Sequence, residues 1–344
     1  MTLRQKAAQA LLVTVSGASL QADTQAFIAA GPPGGLLLTA ENVGGPEQLR
    51  ALTAALQRAA KAVEPQLGLF VAVEDESGVT QLITTGVSLV PAARRLAEQS
   101  SPPAAARFTG ETATALLDLG VNMDLAPVAD VVANPASYLY DRSYSGDPIV
   151  VGDFVKAVTT TLEQKGLISV VKHFPGEGSA SAAPHEQAAI SDASAGQFAN
   201  VHLRPFKVAL AAGAEGVLVS EVTFNAYDTE EPAAVSPSIV QDVLRDGLRF
   251  TGLVIADDIQ MPAAAGPDVD PGAPRAPGQT AEIAVQALTA GCDAVICSGT
   301  PVEQTAVLDA IVAAVGSGRL PERRLNDAVL HMLAVKVRHN LVYR

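Results

Sequence analysis

Ionisable side chains follow several short apolar runs of the sequence, at the points where those runs end. Glu74 follows GLFVAV, the pair Lys172-His173 follows ISVV, and the pair Asp257-Asp258 follows GLVIA. A charge at the end of a buried strand is costly unless it is paired or used in a reaction. Because successive strand residues point to opposite faces, Asp257 and Asp258 cannot share one role. Two interpretations of this aspartate pair are equally good. One is a nucleophile or general base, and the other is a carboxylate that caps the next helix.

Four further polar residues flank these strand ends. Asp130 ends NMDLAPVAD, Arg142 lies in YLYDRSYSGDP, and His185 lies in SASAAPHEQ beside Glu186. A guanidinium offers a fixed fork for a carboxylate or a polyol, although a neighbouring aspartate is an equally ordinary partner for Arg142. His185 is a candidate acid/base group because imidazole titrates near neutral pH. The alternative interpretation of His185 is an exposed loop histidine.

The sequence contains no pattern typical of a metal or nucleotide cofactor. There is no HExxH and no paired-cysteine spacing, so no zinc site is expected. No strand is followed by a glycine-rich dinucleotide fingerprint, and no P-loop is present. We therefore expect neither a metal nor a cofactor.

Eight short β-rich runs alternate with longer helical segments and would position these residues. Several of the runs are almost purely apolar, which is typical of strands buried on both faces in a parallel sheet. This alternation predicts an α/β protein with a (β/α)8 TIM-type barrel, and a doubly wound open sheet is the alternative. The predicted strands are Leu11–Val15, Gly34–Leu38, Gly68–Glu74, Val121–Val128, Ile168–His173, Gly216–Glu221, Gly252–Asp257 and Asp293–Ser298.

Helix boundaries are marked in three places. Pro46 stands at the start of one amphipathic segment, and Asp147-Pro148 is a cap followed by a first-turn proline. Gly166 is expected to end the helix that Asp147 begins. Residues 262–279 are rich in Pro, Gly and Ala and are expected to form a mobile loop within a single domain spanning 1–344.

Length, charge and cysteine content exclude several classes of protein. The chain has 344 residues, is 48% hydrophobic and carries a net charge of −13, which argues against a nucleic acid or an anionic membrane surface as its main partner. The two cysteines exclude a disulfide framework. The first apolar stretch is too short to span a bilayer. We expect a cytoplasmic monomer, with an exported form whose leader has been removed as the alternative.

Four motifs, KHFPGEG, APVAD, DRSYSGDP and VIADDIQM in this order, resemble glycoside hydrolase family 3. The resemblance extends over most of the chain and is greatest to the single-domain, NagZ-type β-N-acetylglucosaminidases. It implies a (β/α)8-type barrel, in agreement with the strand pattern. It also implies a retaining exo-glycosidase that releases terminal β-N-acetylglucosamine from cell-wall fragments, in peptidoglycan recycling, through a covalent glycosyl-enzyme.

The resemblance also implies roles for individual residues. The nucleophile corresponds to Asp257, and the acid/base histidine of a flexible loop corresponds to His185. The expected substrate is a small carbohydrate. Its sugar would be held by Glu74, Arg142, Lys172 and His173, with Asp130 as a weaker candidate. Lys, Arg and His donate hydrogen bonds to hydroxyls, and such bonds stabilise a distorted sugar ring.

This sequence departs from the family pattern close to the expected site. Glu177 replaces the second histidine of KHFPGHG, Ala183 replaces the aspartate of an Asp-Ser-His motif, and Glu74–Val79 replaces D-x-E-G-G-R. Glu177 or Glu186 is therefore a candidate substitute acid. Two alternatives to the glycosidase stay open. One is a catalytically impaired homologue that binds a sugar or a protein, and the other is a related enzyme with a changed substrate or a phosphorolytic reaction.

Overall fold

The computed structural model describes residues 1–85, 87–267 and 278–342, and eight parallel strands form a closed barrel at its centre. The barrel strands are β1 (Leu11–Thr14), β2 (Gly35–Leu37), β3 (Phe70–Val73), β4 (Met123–Asp124), β5 (Ile168–Phe174), β7 (Gly216–Val219), β9 (Leu253–Asp258) and β10 (Ala294–Cys297). The two remaining strands, β6 (Ile190–Ser191) and β8 (Thr223–Phe224), pair with each other in a small separate sheet.

Each barrel strand pairs with its neighbours along the chain, and β1 closes the ring by pairing with β10. Leu11 is opposite Val295 and Val13 is opposite Cys297 in this closing pair. All eight predicted strands are present, which confirms the predicted barrel. The predicted strand Val121–Val128 is longer than the observed β4, although hydrogen bonds from Val170 N to Ala126 O and from Lys172 N to Pro127 O continue the pairing with β5.

Alternate strand residues fill the barrel interior, whereas their neighbours pack outward against the helices. Leu12 of β1 belongs to the interior cluster, while Leu11 and Val13 belong to the outer core. The interior side chains of the strands are Leu12, Phe70, Ala72, Met123, Ile168, Val170, Leu218, Leu253, Ile255, Ala294 and Ile296. These bulky apolar side chains make the barrel a packed core and not a pore.

Helices surround the barrel. They are α1 (Leu3–Gln9), α2 (Ala22–Ala30), α3 (Pro46–Lys61), α4 (Ala93–Gln99), α5 (Pro102–Asp118), α6 (Pro148–Lys165), α7 (Ala195–Gln197), α8 (Leu203–Ala211), α9 (Gln279–Ala290), α10 (Pro301–Gly316) and α11 (Glu322–Arg338). Two wider, π-type helical segments, Phe198–His202 and Ser238–Gly247, precede α8 and β9. No helix in the described ranges is long and apolar enough to cross a membrane.

The predicted helix signals lie where the helices begin and end. The Asp147 carboxylate accepts a 2.8 Å hydrogen bond from the Ile149 N–H and caps α6, and Gly166 ends this helix with φ of 83°. Pro46 is the first residue of α3. Within the predicted loop 262–279, Pro262–Ala265 forms a short 3-10 turn and Gln279 begins α9. Residues 268–277 of that loop lie outside the described residues.

Candidate active site

An open cleft with an empty volume of about 860 Å3 lies at the carboxyl ends of the barrel strands. Five of the residues singled out from the sequence line it: Glu74, Arg142, His173, His185 and Asp257. Leu37, Leu38 and Leu82 form an apolar part of its wall. The carboxyl ends of the strands are where barrel enzymes carry their chemistry.

The alternation of side chains inside the barrel explains how three site residues come to lie at this end of the barrel. Phe70 and Ala72 point inward on β3, so the next inward position is Glu74. By the same period of two, Ile168 and Val170 lead to Lys172, and Leu253 and Ile255 lead to Asp257. The packed interior therefore continues directly into a layer of charged side chains.

Glu76, which is not among the site residues predicted from the sequence, is part of the cleft lining and the centre of a charge network at the base of the cleft. Its carboxylate accepts two hydrogen bonds of 2.7 Å from Arg142, through Nε and Nη2. Lys172 Nζ lies 2.5 Å from Glu76 Oε1 and 2.9 Å from Glu74 Oε1. The Lys172 side chain is 0% exposed and that of Glu74 is 48% exposed. Lys172 therefore lies beneath the carboxylates, while Glu74 presents its carboxylate to the cleft.

The charges in this network stabilise one another. Burial alone would raise the pKa of Glu76, but the Lys172 and Arg142 cations lower it far below its usual range. Burial alone would lower the pKa of Lys172, but the Glu74 and Glu76 carboxylates raise it. Glu76, Lys172 and Arg142 are consequently ionised across the physiological pH range.

His173 is held from behind by Asp130. The Nδ1 atom of His173 lies 2.7 Å from Asp130 Oδ2, and the backbone N–H of His173 donates to the same oxygen at 3.2 Å. Asp130 is 0% exposed and is not among the residues that line the cleft. Its position suits it to orienting His173, and a direct contact with a sugar in the cleft is not available to it here. The ring's other nitrogen, Nε2, lies 3.4 Å from Arg142 Nη2.

The adjacent aspartates Asp257 and Asp258 have different surroundings, as their alternation on the strand predicts. Asp257 lines the cleft, and its Oδ1 accepts a 2.8 Å hydrogen bond from the Asp258 N–H. Asp258 Oδ1 accepts from the backbone N–H groups of Gln260 and Ser298, at 3.0 and 3.3 Å. Burial raises the pKa of Asp257 to about 7, and the His173 charge opposes this rise. Of the two aspartates, Asp257 is therefore the one that faces the cleft.

His185 lies on the loop between β5 and β6 and is exposed. The small sheet anchors this loop, since Ser181 N donates to Ile190 O at 2.8 Å. Within the described part of the chain, the His185 ring makes no hydrogen bond. Ala183 stands where the resembled family has an aspartate. Its side chain has no polar group, and its carbonyl oxygen accepts a 3.0 Å hydrogen bond from Glu186 N. Nothing described in the structure therefore orients the His185 ring.

The two candidate substitute acids are placed differently. Glu177 is 2% exposed, and both of its carboxylate oxygens accept hydrogen bonds, from Ser220 Oγ and from the Tyr138 hydroxyl. It is not placed to donate a proton into the cleft. Glu186 is exposed and lies outside the residues that line the cleft. Among the candidates for the acid, His185 alone is part of the cleft wall.

Comparison with known proteins decides the family. Residues 2–335 match the glycosyl hydrolase family 3 N terminal domain. The chain belongs to glycosyl hydrolase family 3. A beta-hexosaminidase of Nitrosomonas eutropha is 30% identical over 331 residues, which cover 94% of this chain and 90% of the relative. The family resemblance of the sequence motifs is thus confirmed.

Two solved structures share the architecture of this chain. The beta-N-acetylhexosaminidase of Beutenbergia cavernae has a TM-score of 0.87 and 26% identity, covering 98% of this chain and 99% of that protein. A family 3 beta-N-acetylglucosaminidase of Paenibacillus has a TM-score of 0.91 and 28% identity. This family 3 chain spans 64% of the length of the Paenibacillus protein.

Proposed function

We propose that the chain is a retaining exo-β-glycosidase that hydrolyses terminal β-N-acetylglucosaminides. The observation that carries the proposal is the position of Asp257, a buried carboxylate that lines the cleft with one oxygen held by the Asp258 N–H. The names of the relatives, beta-hexosaminidase and beta-N-acetylglucosaminidase, support the choice of sugar. Cell-wall fragments that end in N-acetylglucosamine are the natural substrate we propose.

In the first step, an Asp257 oxygen attacks the anomeric carbon while the bond from that carbon to the aglycone oxygen breaks. His185 donates its proton to the departing oxygen, so that the aglycone leaves as a neutral alcohol. In the second step, water gives a proton to His185 and attacks the anomeric carbon. The bond to Asp257 then breaks, and the sugar leaves with its configuration retained.

The sugar itself would be held by the charged side chains at the base of the cleft. Glu74 faces the cleft and accepts hydrogen bonds from hydroxyl groups, whereas Arg142 and His173 donate them. Lys172 acts from beneath, where it keeps Glu74 and Glu76 ionised and in place. Because these groups are fixed before the sugar binds, little reorganisation is needed when the transition state forms.

The experiment compares the wild-type protein with Asp257→Asn on a chromogenic β-N-acetylglucosaminide, with and without phosphate. We expect turnover by the wild type and a loss on the order of 10^4-fold or more in the variant, as for other catalytic nucleophiles. Asp258→Asn is the matched control, because Asp258 accepts hydrogen bonds from the backbone beside the same site. Full activity in Asp257→Asn would refute the assignment. Release that requires phosphate would identify a phosphorylase.

A second function, binding of a sugar with little turnover, is favoured by one specific observation. Ala183 cannot orient His185, and the His185 ring has no hydrogen-bond partner among the described residues. Calorimetric titration with N-acetylglucosamine separates the two functions. Binding together with no release of the chromophore would support the sugar-binding homologue.

A further inference from the structure

Glu177 is a buried carboxylate at the point where the chain leaves β5. It is 2% exposed, and Ser220 Oγ lies 2.5 Å from its Oε1. The Tyr138 hydroxyl donates to Oε2. A carboxyl group that accepts at both oxygens has the hydrogen-bonding pattern of the ionised form. A buried negative charge of this kind is costly unless a cation lies beside it.

The cation nearest to Glu177 in this arrangement is the imidazole of His173. Its Nδ1 lies 3.9 Å from Glu177 Oε2 and 2.7 Å from Asp130 Oδ2. Asp130 also joins the two residues through the backbone, since its Oδ1 accepts a 2.6 Å hydrogen bond from Glu177 N. Two buried carboxylates thus face one imidazole, and an imidazolium balances them better than a neutral ring does.

Glu177 also contacts three different segments near the binding groups, through Tyr138, Ser220 and His173. Tyr138 belongs to the same loop as Arg142, Ser220 follows β7, and His173 lies in β5. The charged or titratable groups around the His173 ring come from β9 and from the segments that follow β3, β4 and β5. They are Glu76, Asp130, Arg142, Glu177, His185 and Asp257. Carboxylates outnumber cations in this set.

We propose that Glu177 is a positioning residue which, together with Asp130, keeps His173 protonated and aimed at the cleft through Nε2. His173 then meets the sugar as a charged hydrogen-bond donor, and its positive charge also favours the ionised form of Asp257. The family motif KHFPGHG has a histidine where this chain has Glu177. The catalytic consequence of this arrangement rests on the proposed function, but the charge of His173 is measurable in the free protein.

The direct test is a titration of the histidine rings by NMR in the full-length protein. The chain has five histidines, and His173→Asn identifies the signal of His173 by its loss. Glu177→Gln keeps the shape of the side chain and removes its charge, while the two hydroxyl partners can donate or accept. We expect the midpoint of His173 to fall by about 1–3 pH units, the usual effect of losing an adjacent opposite charge.

The double variant Tyr138→Phe/Ser220→Ala is the matched control. It removes both hydrogen bonds to Glu177 but leaves the carboxylate, so the midpoint of His173 should stay at or above that of the wild type. A midpoint unchanged to within about 0.3 units in Glu177→Gln would overturn the proposal. An equal fall in the double variant would also overturn it, because packing and not charge would then be the cause. If Glu177→Gln does not fold, the wild-type titration still tests the proposal, since a His173 midpoint at or below the ordinary value of 6.5 would overturn it and a clearly higher midpoint would support it.

Kinetics supply the second measurement. Glu177→Gln should raise KM for the chromogenic substrate most strongly at pH 8 and above, where the variant's His173 has lost its proton, with a smaller effect at pH 6. A purely structural defect would change KM equally at both values. If the wild type shows no turnover, the proposed function fails, while the NMR titration still tests Glu177.

Discussion

Arg142 holds Glu76 through two parallel hydrogen bonds of 2.7 Å, and Lys172 Nζ approaches the same carboxylate to 2.5 Å. The carboxylate side chain is 3% exposed. One buried anion therefore fixes the positions of two cations before any sugar is present. Because the two hydrogen bonds hold the planar guanidinium in one orientation, they also fix the direction of the other Arg142 N–H groups.

Replacement of Glu76 by Ala should lower the free energy of unfolding by about 3–5 kcal/mol, because it leaves the fully buried Lys172 without one of its two partners. Urea denaturation measures this change. Glu111→Ala is the control, since Glu111 pairs with Arg107 on the exposed face of α5 and should contribute less than about 1 kcal/mol. Equal decreases in the free energy of unfolding in the two variants would contradict the central position of Glu76.

The pH profile of kcat/KM is expected to pass through a maximum between about pH 6 and 7. Asp257 must be ionised to attack, and burial raises its pKa to about 7, whereas His185 must be protonated to assist the leaving group, and burial lowers its pKa. Activity should therefore fall on both sides of this maximum. Replacing His173 by Asn removes a positive charge that lowers the pKa of both groups, so the maximum should move to higher pH. A rate that keeps rising between about pH 7 and 9 would contradict these two roles.

An aspartate at position 183 should improve turnover. Ala183→Asp supplies the carboxylate that the resembled family places two residues before its acid/base histidine, and we expect kcat to rise by about tenfold. The gain should be larger for a methyl glycoside than for a chromogenic one, because a poor leaving group depends more on proton donation. Ala182→Asp introduces the same charge one residue away and serves as the control. No gain from Ala183→Asp, or an equal gain from the control, would show that orientation of His185 does not limit the rate.

Lys336 should make stability increase with pH. Its side chain is fully buried, and Nζ donates to Gln9 Oε1 at 2.7 Å and lies 5.2 Å from the centre of the Phe70 ring. Burial lowers the pKa of Lys336 to about 7. The unfolded chain therefore binds this proton more tightly than the folded chain, so stability should rise between pH 7 and the unfolded value near 10.5.

Lys336→Met removes this dependence. We expect it to raise the free energy of unfolding by roughly 5 kcal/mol at pH 6 and to have little effect near pH 10.5. Lys207→Met, at an exposed position on α8, should change stability by no more than about 0.5 kcal/mol at either pH. Urea denaturation at the two pH values measures both variants. A Lys336→Met effect that does not change with pH would contradict titration of a buried lysine.

The barrel was predictable because each strand is recognisable from its own residues. Apolar runs such as LLVT of β1 and AVIC of β10 are local signals, and so are the proline and glycine that begin and end α6. The alternation that separates Asp257 from Asp258 is also local. These features require no knowledge of which segments meet in space.

The charge network was not predictable in the same way. Glu76 lies two residues after Glu74, but its partner Arg142 is 66 residues further along the chain. The enclosure of Glu177 by Tyr138 and Ser220 likewise joins residues 39 and 43 positions apart. Only the pairing of β3, β4, β5 and β7 in the closed barrel brings such residues together, so their burial and partners follow from topology and not from sequence spacing.

The pairing of β1 with β10 has a consequence for biosynthesis. β1 is complete at Thr14, but the strand that covers its second edge ends at Cys297, so almost the whole chain must be made before the ring can close. At typical elongation rates this interval is roughly 15–60 s. Throughout that time the nascent sheet has an unpaired apolar edge, which is the kind of surface that invites association with other chains.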